Sequence, residues 1–238
     1  DIGLIRKAID AANHPALLLV DTISSLGSIP YEHKNHGVDV TVGGSQKGLM
    51  LPPGIGLNVV SEKARLSAKS ATSPKAYWNW EAIIGANANG FFPYTPPTNL
   101  MFGLAEAQRL LREEGMTKVF RRHARHGTAT RAAVQAWGFE TVCRQPDRSS
   151  DALTAVLMPE VVDADEVRSM ALRNFNVSLG TGLGKLSKKA FRIGHLGDFN
   201  DLMLTGTLTG IEMSLDLLGV EFQKGGVAAA MSHLQVDR

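Results

Sequence analysis

The hydrophobic pattern of the first sixty residues alternates between helix and strand. Apolar residues recur at helical spacing over residues 2–12, and Asp1 can cap the first turn, so this segment predicts a helix. Residues 16–20 form an unbroken apolar run, which is typical of a parallel strand covered on both faces. Shorter apolar runs at residues 38–42 and 55–60 predict two more strands. This part of the chain therefore predicts a sheet that contains parallel strands.

The middle of the chain predicts three helices and one loop region. A short helix with a serine cap is predicted over residues 61–68. Residues 77–99 are rich in aromatic side chains and Asn and predict a loop, which closes in the proline-rich turn at residues 93–98. Helical patterns follow over residues 98–114 and 117–137, and a glycine comes directly after each of them.

After residue 138 the chain predicts a compact α+β unit. Strands are predicted at residues 153–158, 176–179 and 190–194, and helices at residues 163–175, 200–217 and 225–234. The glycine-rich segment Gly180–Lys185 matches neither nucleotide-binding pattern and is expected to be a mobile loop near the mouth of an active site. We predict two domains, residues 1–115 and 116–238.

Composition places the 238-residue chain among ordinary globular proteins, since 44% of its residues are hydrophobic and 20% are charged. The net charge of +2 suggests no nucleic-acid partner, and the basic residues between Arg109 and Arg131 fit a solvated helix face. No stretch approaches the ~18 consecutive apolar residues of a membrane span, so no membrane partner is expected. The single cysteine, Cys143, excludes an internal disulfide and fits a reducing compartment such as the cytoplasm.

The candidate chemistry consists of a carboxylate after one predicted strand and a lysine after the next. Asp21 follows the first apolar run, and Lys47 lies in the glycine-rich segment Gly43–Gly54. Adjacent parallel strands bring their carboxyl ends to one edge of the sheet, where ligands of α/β proteins bind. A lysine amine there can form a Schiff base with pyridoxal phosphate (PLP), and a carboxylate can keep its pyridine nitrogen protonated. On spacing alone, a turn aspartate and a surface lysine remain the alternative.

Three motifs surround these two residues in a fixed order. They read Val-Asp-Thr-Ile-Ser-Ser-Leu-Gly-Ser-Ile-Pro at 20–30, Gly-Val-Asp-Val at 37–40, and Gly-Ser-Gln-Lys-Gly-Leu-Met-Leu-Pro-Pro-Gly at 44–54. Together they resemble the class V, fold-type I PLP-dependent aminotransferases, above all the serine–glyoxylate and alanine–glyoxylate (serine–pyruvate) branch. Gln46 discriminates within the class, because cysteine desulfurases and phosphoserine aminotransferases usually have His before the lysine.

Two later segments extend the resemblance almost to the C-terminus. Phe-Phe-Pro-Tyr-Thr-Pro-Pro at 91–97 is similar to a family loop that reaches the cofactor phosphate of the other subunit, and Thr95 matches its phosphate-contacting threonine. Some relatives have Tyr at the position of Phe92. Phe-Arg-Ile-Gly-His-Leu-Gly at 191–197 is similar to the segment whose arginine, here Arg192, grips the substrate carboxylate. A planar guanidinium suits that role because it binds a carboxylate bidentately. His195 is expected to pack or to bond the loop.

The resemblance implies an α/β fold of the fold-type I PLP-transferases, with an incomplete large domain containing a mostly parallel sheet and a C-terminal α+β small domain. The family's phosphate cup and ring-stacking residue have no match, so we expect the C-terminal part of an aminotransferase. The resemblance implies PLP as cofactor, no metal ion, Lys47 as the catalytic residue and Arg192 as the substrate-binding residue. The cofactor-binding residues that it implies are Asp21, Ile23, Gln46, Lys47 and Thr95, with Thr22 beside them.

The expected reaction is transamination between an amino acid and glyoxylate or another 2-oxo acid, in a homodimer whose active sites are shared across the interface. Serine is the first choice of amino donor. Alanine and aspartate stay open, because side-chain specificity depends on contacts of only ~1–3 kcal/mol each. Two other hypotheses also stay open. One is a PLP-dependent lyase or desulfurase, which needs a catalytic cysteine or a His before the lysine; the other is a non-catalytic truncated fragment.

Overall fold

The computed structural model describes residues 1–236, which divide into two compact units. The first unit contains Asp1–Leu26 and Pro30–Glu113, and the second contains Gly27–Ile29 and the residues from Glu114 onward. Each unit has a sheet of its own. None of the helices within residues 1–236 combines the length and the apolar character that crossing a membrane requires.

The first unit is built on a mixed three-stranded sheet. Its elements are α1 (Ile2–Ala11), β1 (Leu19–Asp21), β2 (Val40–Gly44), β3 (Gly56–Val60), α2 (Glu62–Ser70), α3 (Trp80–Asn87) and α4 (Thr98–Glu114). The strand order is β1-β2-β3. The predicted parallel pairing holds for β1 and β2, whereas β3 joins β2 in the antiparallel direction.

The helices of the first unit begin where their caps predict. The Asp1 carboxylate accepts a hydrogen bond from the Leu4 amide at 3.1 Å, and the Ser61 hydroxyl accepts one from the Ala64 amide at 3.1 Å. The expectation of an unbroken loop over residues 77–99 was wrong. The side chain of Asn79 caps α3 by accepting from the amides of the first turn, a signal hidden among the neighbouring aromatic residues.

The first apolar run is shorter as a strand than predicted and is not covered on both faces. Pairing begins at Leu19, which lies opposite Val40, and the Leu19 side chain is 59% exposed. Within residues 1–236, β1 pairs with β2 alone and forms an edge of the sheet.

A buried carboxylate ties the elements of the first unit together. Asp39, just before β2, accepts hydrogen bonds from the Leu18 amide at 2.9 Å and from the Ser61 hydroxyl at 3.1 Å. It also pairs with Arg6 of α1 at 3.3 Å. The carboxylate therefore links α1, the start of β1 and the cap of α2, which sets the level at which β1 meets β2.

The second unit is an antiparallel sheet with helices packed on one face. Its elements are α5 (Met116–Ala136), β4 (Glu140–Thr141), β5 (Leu153–Leu157), α6 (Ala164–Phe175), β6 (Gly180–Thr181), β7 (Ala190–Gly194), α7 (Asp201–Leu217) and α8 (Gly226–Val236). The strand order is β4-β5-β7-β6, and every pair is antiparallel. Val156, Phe191 and Ile193 enter the core with side chains of all four helices.

The predicted strand at residues 176–179 was wrong. Asn176 ends α6 in the left-handed conformation with φ 55°, and pairing starts only at Gly180. The segment Gly180–Lys185, expected to be a loop, supplies the two residues of β6. A two-residue strand carries no hydrophobic period of its own, so its position depends on its partner β7 rather than on local sequence.

The predicted solvated basic face describes only part of α5, because Lys118 and Arg121 are exposed whereas Arg122 and Arg125 form partly buried ion pairs. Arg122 pairs with Glu114 at 2.7 Å and Arg125 with Asp201 at 2.6 Å, and these arginine side chains are only 19% and 13% exposed. His123 on the same helix is fully buried. Glu114 and Asp201, which lie outside α5, form ion pairs with Arg122 and Arg125 and neutralise their charges within the unit.

Candidate functional site

The parallel pair β1–β2 brings Asp21 and the Lys47 loop to the same end of the sheet. Asp21 is the last residue of β1 and lies opposite Val42 of β2. The chain leaves β2 at Gly44 and reaches Lys47 three residues later. Side chains at the carboxyl ends of adjacent parallel strands line the crevice where α/β proteins bind ligands.

One oxygen of the Asp21 carboxylate accepts a hydrogen bond, and the other has no partner within residues 1–236. The Asp21 Oδ1 accepts a hydrogen bond from the Ile23 amide at 2.8 Å, and no partner of Oδ2 is found within residues 1–236. Thr22 is buried and donates from both its amide and its hydroxyl to the Val42 carbonyl, at 2.8 and 2.9 Å. The backbone beside Asp21 is therefore fixed to β2, while one carboxylate oxygen is available to a donor outside this set.

A single serine closes the base of the loop that carries Lys47. Ser45 is fully buried; its hydroxyl donates to the Pro52 carbonyl at 2.8 Å and accepts from the Ile55 amide at 3.2 Å. Its carbonyl accepts from the Leu51 amide at 3.1 Å. These bonds close residues 45–55 into a compact loop, because they join both of its ends.

The turn directly after Lys47 has an unusual backbone. The Met50 amide donates to the Lys47 carbonyl at 2.9 Å, and Met50 has a φ of 64°, in the left-handed region that glycine usually supplies. Leu49 and Leu51 on either side of Met50 are buried. Met50 thus holds a strained backbone conformation between two buried leucines, and such strain is of the kind that collects at functional sites.

The Lys47 amine has no competing partner in the described part of the chain. The side chain is half-buried, and no hydrogen bond or ion pair to Nζ is found within residues 1–236. Ile23 and Gln46 both lie beside Gly44: a Cβ added there would be 3.6 Å from Ile23 Cγ2 and 3.1 Å from Gln46 Oε1. The structure thus brings Ile23 and Gln46 together at Gly44, where the chain leaves β2 for the Lys47 loop.

This donor set suits PLP. An amine without a partner can bond to an aldehyde, and a carboxylate oxygen without a partner can accept from a pyridinium N–H. A Cβ at Gly44 would lie 3.1 Å from the Gln46 side chain, so the bare backbone of this glycine lies beside Ile23 and Gln46. A glycine backbone permits the close approach of a flat ring.

Thr95 does not join this group in the described structure. It is exposed in the proline-rich segment before α4, and no hydrogen bond connects it to Asp21, Gln46 or Lys47 within residues 1–236. Tyr94 of the same segment lies against Tyr77, with the ring centroids 4.9 Å apart and the ring planes tilted by 34°. A role for Thr95 within its own chain therefore has no support from the geometry of the first unit.

Arg192 lies on the face of the second unit's sheet that the core does not use. Its neighbours on β7, Phe191 and Ile193, are buried in the core, and side chains alternate between faces along a strand. The Arg192 Nε donates to the Thr181 carbonyl at 2.7 Å. No partner of its two terminal nitrogens is found within residues 1–236, so the guanidinium can still bind an anion.

Buried histidines anchor the segment that follows Arg192. His195 Nε2 lies 2.9 Å from the Thr154 hydroxyl, and its Nδ1 lies 3.0 Å from the Asp151 carbonyl. His123 Nε2 accepts from the Gly197 amide at 3.0 Å. Burial lowers the pKa of His195 to about 4, and it lowers the pKa of His123 as well. Both rings are therefore neutral at pH 7 and act as structural hydrogen-bonding groups.

Sequence reasoning missed two elements of these sites. The motif around Lys47 contains Ser45 but does not reveal that this residue closes the base of the loop. Gly180 and Thr181 are predicted to lie in a loop, and the only local sign that they form a strand is their short separation in sequence from the strand that carries Arg192. Both depend on partners outside their own segment, which a local pattern does not reveal.

The chain has recognisable relatives among known proteins. The sequence pattern described as "Aminotransferase class-V" matches residues 3–195. The serine–glyoxylate aminotransferase of Methylorubrum extorquens is 48% identical over 241 residues, covering 99% of this chain and 60% of that protein. The L-aspartate–glyoxylate aminotransferase of Paracoccus denitrificans is 43% identical over 235 residues, covering 98% of this chain and 59% of that protein.

A solved structure shows the same fold. The pyridoxamine–pyruvate aminotransferase of Mesorhizobium loti superposes with a TM-score of 0.90 at 30% identity, covering 100% of this chain and 61% of that one. The predicted fold-type I α/β architecture is thus confirmed. The chain spans about 60% of the length of the relatives that it matches. Since the family pattern extends over most of its length, the chain belongs to the class-V aminotransferase family.

Proposed function

We propose that this chain carries the catalytic lysine of a PLP-dependent aminotransferase, with serine as amino donor and glyoxylate as acceptor. The observation that carries the proposal is the parallel register of β1 and β2, which brings Asp21 and the Lys47 loop to one end of the sheet. The motifs around both residues and the membership of the aminotransferase family support it.

Lys47 and Asp21 have complementary tasks in this proposal. Bound PLP supplies an electron sink that stabilises the negative charge left on the substrate Cα when its proton is removed. The Lys47 amine would hold PLP and could act as the general base that removes the proton from the substrate Cα. The Asp21 carboxylate, whose Oδ2 has no partner within residues 1–236, would accept from the pyridine N–H of bound PLP and keep it protonated. Ile23, Gln46 and Thr22 orient the ring and the phosphate.

Arg192 binds the α-carboxylate that the amino acid and the oxo acid have in common. Its two terminal nitrogens have no partner within residues 1–236, and a bidentate pair with a carboxylate fixes both position and angle. The serine donor is supported by the relative from Methylorubrum extorquens, which is named for serine and glyoxylate. The relative from Paracoccus denitrificans is named for L-aspartate and glyoxylate, so aspartate is the first competitor to test. Alanine follows.

Thr95 contacts the cofactor phosphate of a second subunit in a homodimer. Two observations support this part of the proposal: Thr95 has no bond to the Asp21–Lys47 group of its own chain, and the surrounding segment exposes large aromatic side chains. Trp78 is 86% exposed, and Phe91 and Phe102 are 71% and 78% exposed. Apolar surface of this extent on one segment is typical of a protein interface.

The test is an absorption spectrum of the PLP-loaded enzyme, recorded before and after L-serine and then glyoxylate. We expect a band near the visible edge that decreases with L-serine and returns with glyoxylate. The Lys47→Ala variant should lack this band, and Lys34→Ala is the matched control, because Lys34 is exposed in the connection between β1 and β2. A band that Lys47→Ala retains would refute the role of the lysine, and a response to L-aspartate or L-alanine but not to L-serine would replace the donor.

The comparisons favour transamination over a PLP-dependent lyase or desulfurase. Close relatives are named as aminotransferases. The only cysteine, Cys143, is exposed beside β4, with its thiol 3.3 Å from the Gln145 carbonyl. A non-catalytic fragment would give the spectrum of free PLP, unchanged by either substrate.

A further inference from the structure

We propose that Gly180 and Thr181 are positioning residues that aim the two terminal nitrogens of Arg192 at the substrate carboxylate. This inference rests on the proposed function, in which Arg192 binds that carboxylate. It adds which edge of the guanidinium is presented and which residues select that edge.

One hydrogen bond decides the edge. A guanidinium can bind a carboxylate bidentately through its two terminal nitrogens, or side-on through Nε and one terminal nitrogen. In this protein Nε already donates to the Thr181 carbonyl at 2.7 Å. The side-on mode is therefore blocked, and Arg192 offers the end-on pair, Nη1 and Nη2.

Small neighbours allow the guanidinium to adopt this position. Gly180 is the cross-strand partner of Arg192 on one side and Ala155 on the other. A Cβ added to Gly180 would lie 3.1 Å from both Cβ and Nε of Arg192 and 3.4 Å from Nη2. The arginine is packed against the glycine backbone, so an added methyl group requires the arginine to shift by a few tenths of an ångström. Ala190 and Gly194, two residues away along β7, are small as well.

The Thr181 carbonyl is itself fixed from the other side. The Thr181 hydroxyl donates to Asp165 Oδ1 at 3.1 Å, and Arg168 pairs with the same oxygen at 2.7 Å. Arg168 also donates to the Leu179 carbonyl at 2.9 Å. The short strand β6 is thus bound to β7 and to α6, which explains how two residues can hold a carbonyl in register.

The functional consequence is angular. A bidentate pair transmits the orientation of the guanidinium to the substrate, and the bond broken at Cα must be aligned for the reaction. The amino acid and the oxo acid both carry an α-carboxylate. A rotated Arg192 should therefore weaken the binding of both substrates by similar factors.

The first experiment compares Gly180→Ala with Gly206→Ala in the intact enzyme. Gly180→Ala should raise KM about tenfold for both the amino acid and glyoxylate, since a carboxylate grip loses geometry rather than charge. Gly206→Ala is the matched control, because a Cβ there would meet nothing within 4 Å. Thr181→Val removes the hydroxyl that bonds Asp165 and thereby fixes the backbone of Thr181, including its carbonyl. This variant should raise both KM values about threefold. Unchanged KM values in both Gly180→Ala and Thr181→Val would overturn the proposal.

A double-variant cycle separates positioning from general damage. Lys at position 192 has no Nε–H donor and no fork, so Gly180→Ala should change KM less than twofold in the Arg192→Lys background. An equal effect of Gly180→Ala in both backgrounds would mean that it acts on the fold rather than on Arg192.

A spectroscopic readout needs no turnover. In ¹H–¹⁵N spectra the Arg192 Nε–H, assigned by its loss in Arg192→Lys, should exchange slowly with water and should exchange at least tenfold faster in Gly180→Ala. Fast exchange in the unmodified protein would overturn the inference even if Arg192→Lys raises KM. Slow exchange together with an unchanged KM in Arg192→Lys would refute carboxylate binding by Arg192, and with it the aim assigned here.

Discussion

At the residue scale, the second unit depends on histidines that are buried without charge. His123, His126 and His195 are fully buried, and each uses a ring nitrogen to bond the backbone or a neighbouring side chain. Burial lowers the pKa of all three, although the Asp201 carboxylate opposes the effect on His126. Protonation of these histidines therefore favours the unfolded chain over the folded protein.

We expect the free energy of unfolding to decrease as the pH is lowered from about 6.5 to about 4. An unfolded histidine titrates near pH 6.5, whereas the pKa of folded His195 is about 4. In that window the unfolded chain binds a proton that the folded one excludes, so stability falls as pH falls and the loss is complete below pH 4. His195 alone should account for about 3 kcal/mol, and His123 and His126 add in the same direction.

Urea unfolding at pH 7.5, 5.5 and 4.5 measures this effect. The His195→Asn variant keeps a side-chain N–H for the Asp151 carbonyl but loses the buried ring, so it should be less stable at neutral pH. Because Asn does not titrate in this range, the variant should also show a flatter pH dependence. An equally steep dependence in His195→Asn would assign the effect to other groups.

At the element scale, local signals predicted the helices well and the short strands poorly. Asn200 caps α7 through the Met203 amide at 2.9 Å and Asp163 caps α6 through the Asp165 amide at 2.9 Å. Such caps act within one turn, so sequence alone locates them. The strand β6 was misplaced and the helix α3 was missed, because a two-residue pairing is set by its partner and the cap at Asn79 lies in an aromatic stretch.

One contact between elements is tight enough to test. Gly226 begins α8 against Trp137 at the end of α5, and a Cβ at Gly226 would lie 2.2 Å from the indole Nε1. That nitrogen donates to Glu212 of α7 at 2.9 Å, so the ring cannot move without losing the bond. Gly226→Ala should therefore destabilise the protein by about 1–3 kcal/mol through overpacking.

The same measurement on Gly206→Ala provides the comparison. Gly206 lies within α7 with open space at its Cβ, so alanine should raise stability there by roughly 0.5–1 kcal/mol. Free energies of unfolding from urea titrations distinguish the two. If Gly226→Ala proved as stable as Gly206→Ala, the close packing of α8 on Trp137 would be incorrect.

At the scale of the whole molecule, the sequence offers a list of candidate site residues, which stays a prediction, but it does not reveal their contacts. Asp21, Lys47 and Arg192 stood out because their chemistry is specific and their motifs are long. What the residues touch depended on distant partners: Ser45 on Pro52 and Ile55, and Arg192 on Thr181. These pairings follow from chain geometry that no single motif contains.

The exposed aromatic segment leads to a prediction on assembly. Phe102 on α4 is 78% exposed, and a charge in its place would be buried without a partner if this surface joins two copies. Phe102→Asp should shift the protein toward monomer in sedimentation equilibrium. Val161→Asp is the control, since Val161 is 93% exposed in the second unit and should leave assembly unchanged. A Phe102→Asp protein with unaltered mass would exclude this surface as the interface.

The pairing of β1 with β2 also bears on the order in which the protein folds. The antiparallel pair β2–β3 meets first across the 12 residues from Gly44 to Gly56, whereas β1–β2 must close the 21 residues from Leu19 to Val40. The longer closure costs only ~0.5 kcal/mol more entropy, but parallel pairing lacks a hairpin turn to guide it. The lysine loop, built on β2 and β3, should therefore be shaped before Asp21 arrives. Docking of β1 is then the step that brings the Asp21 carboxylate to the carboxyl end of β2, beside the lysine loop.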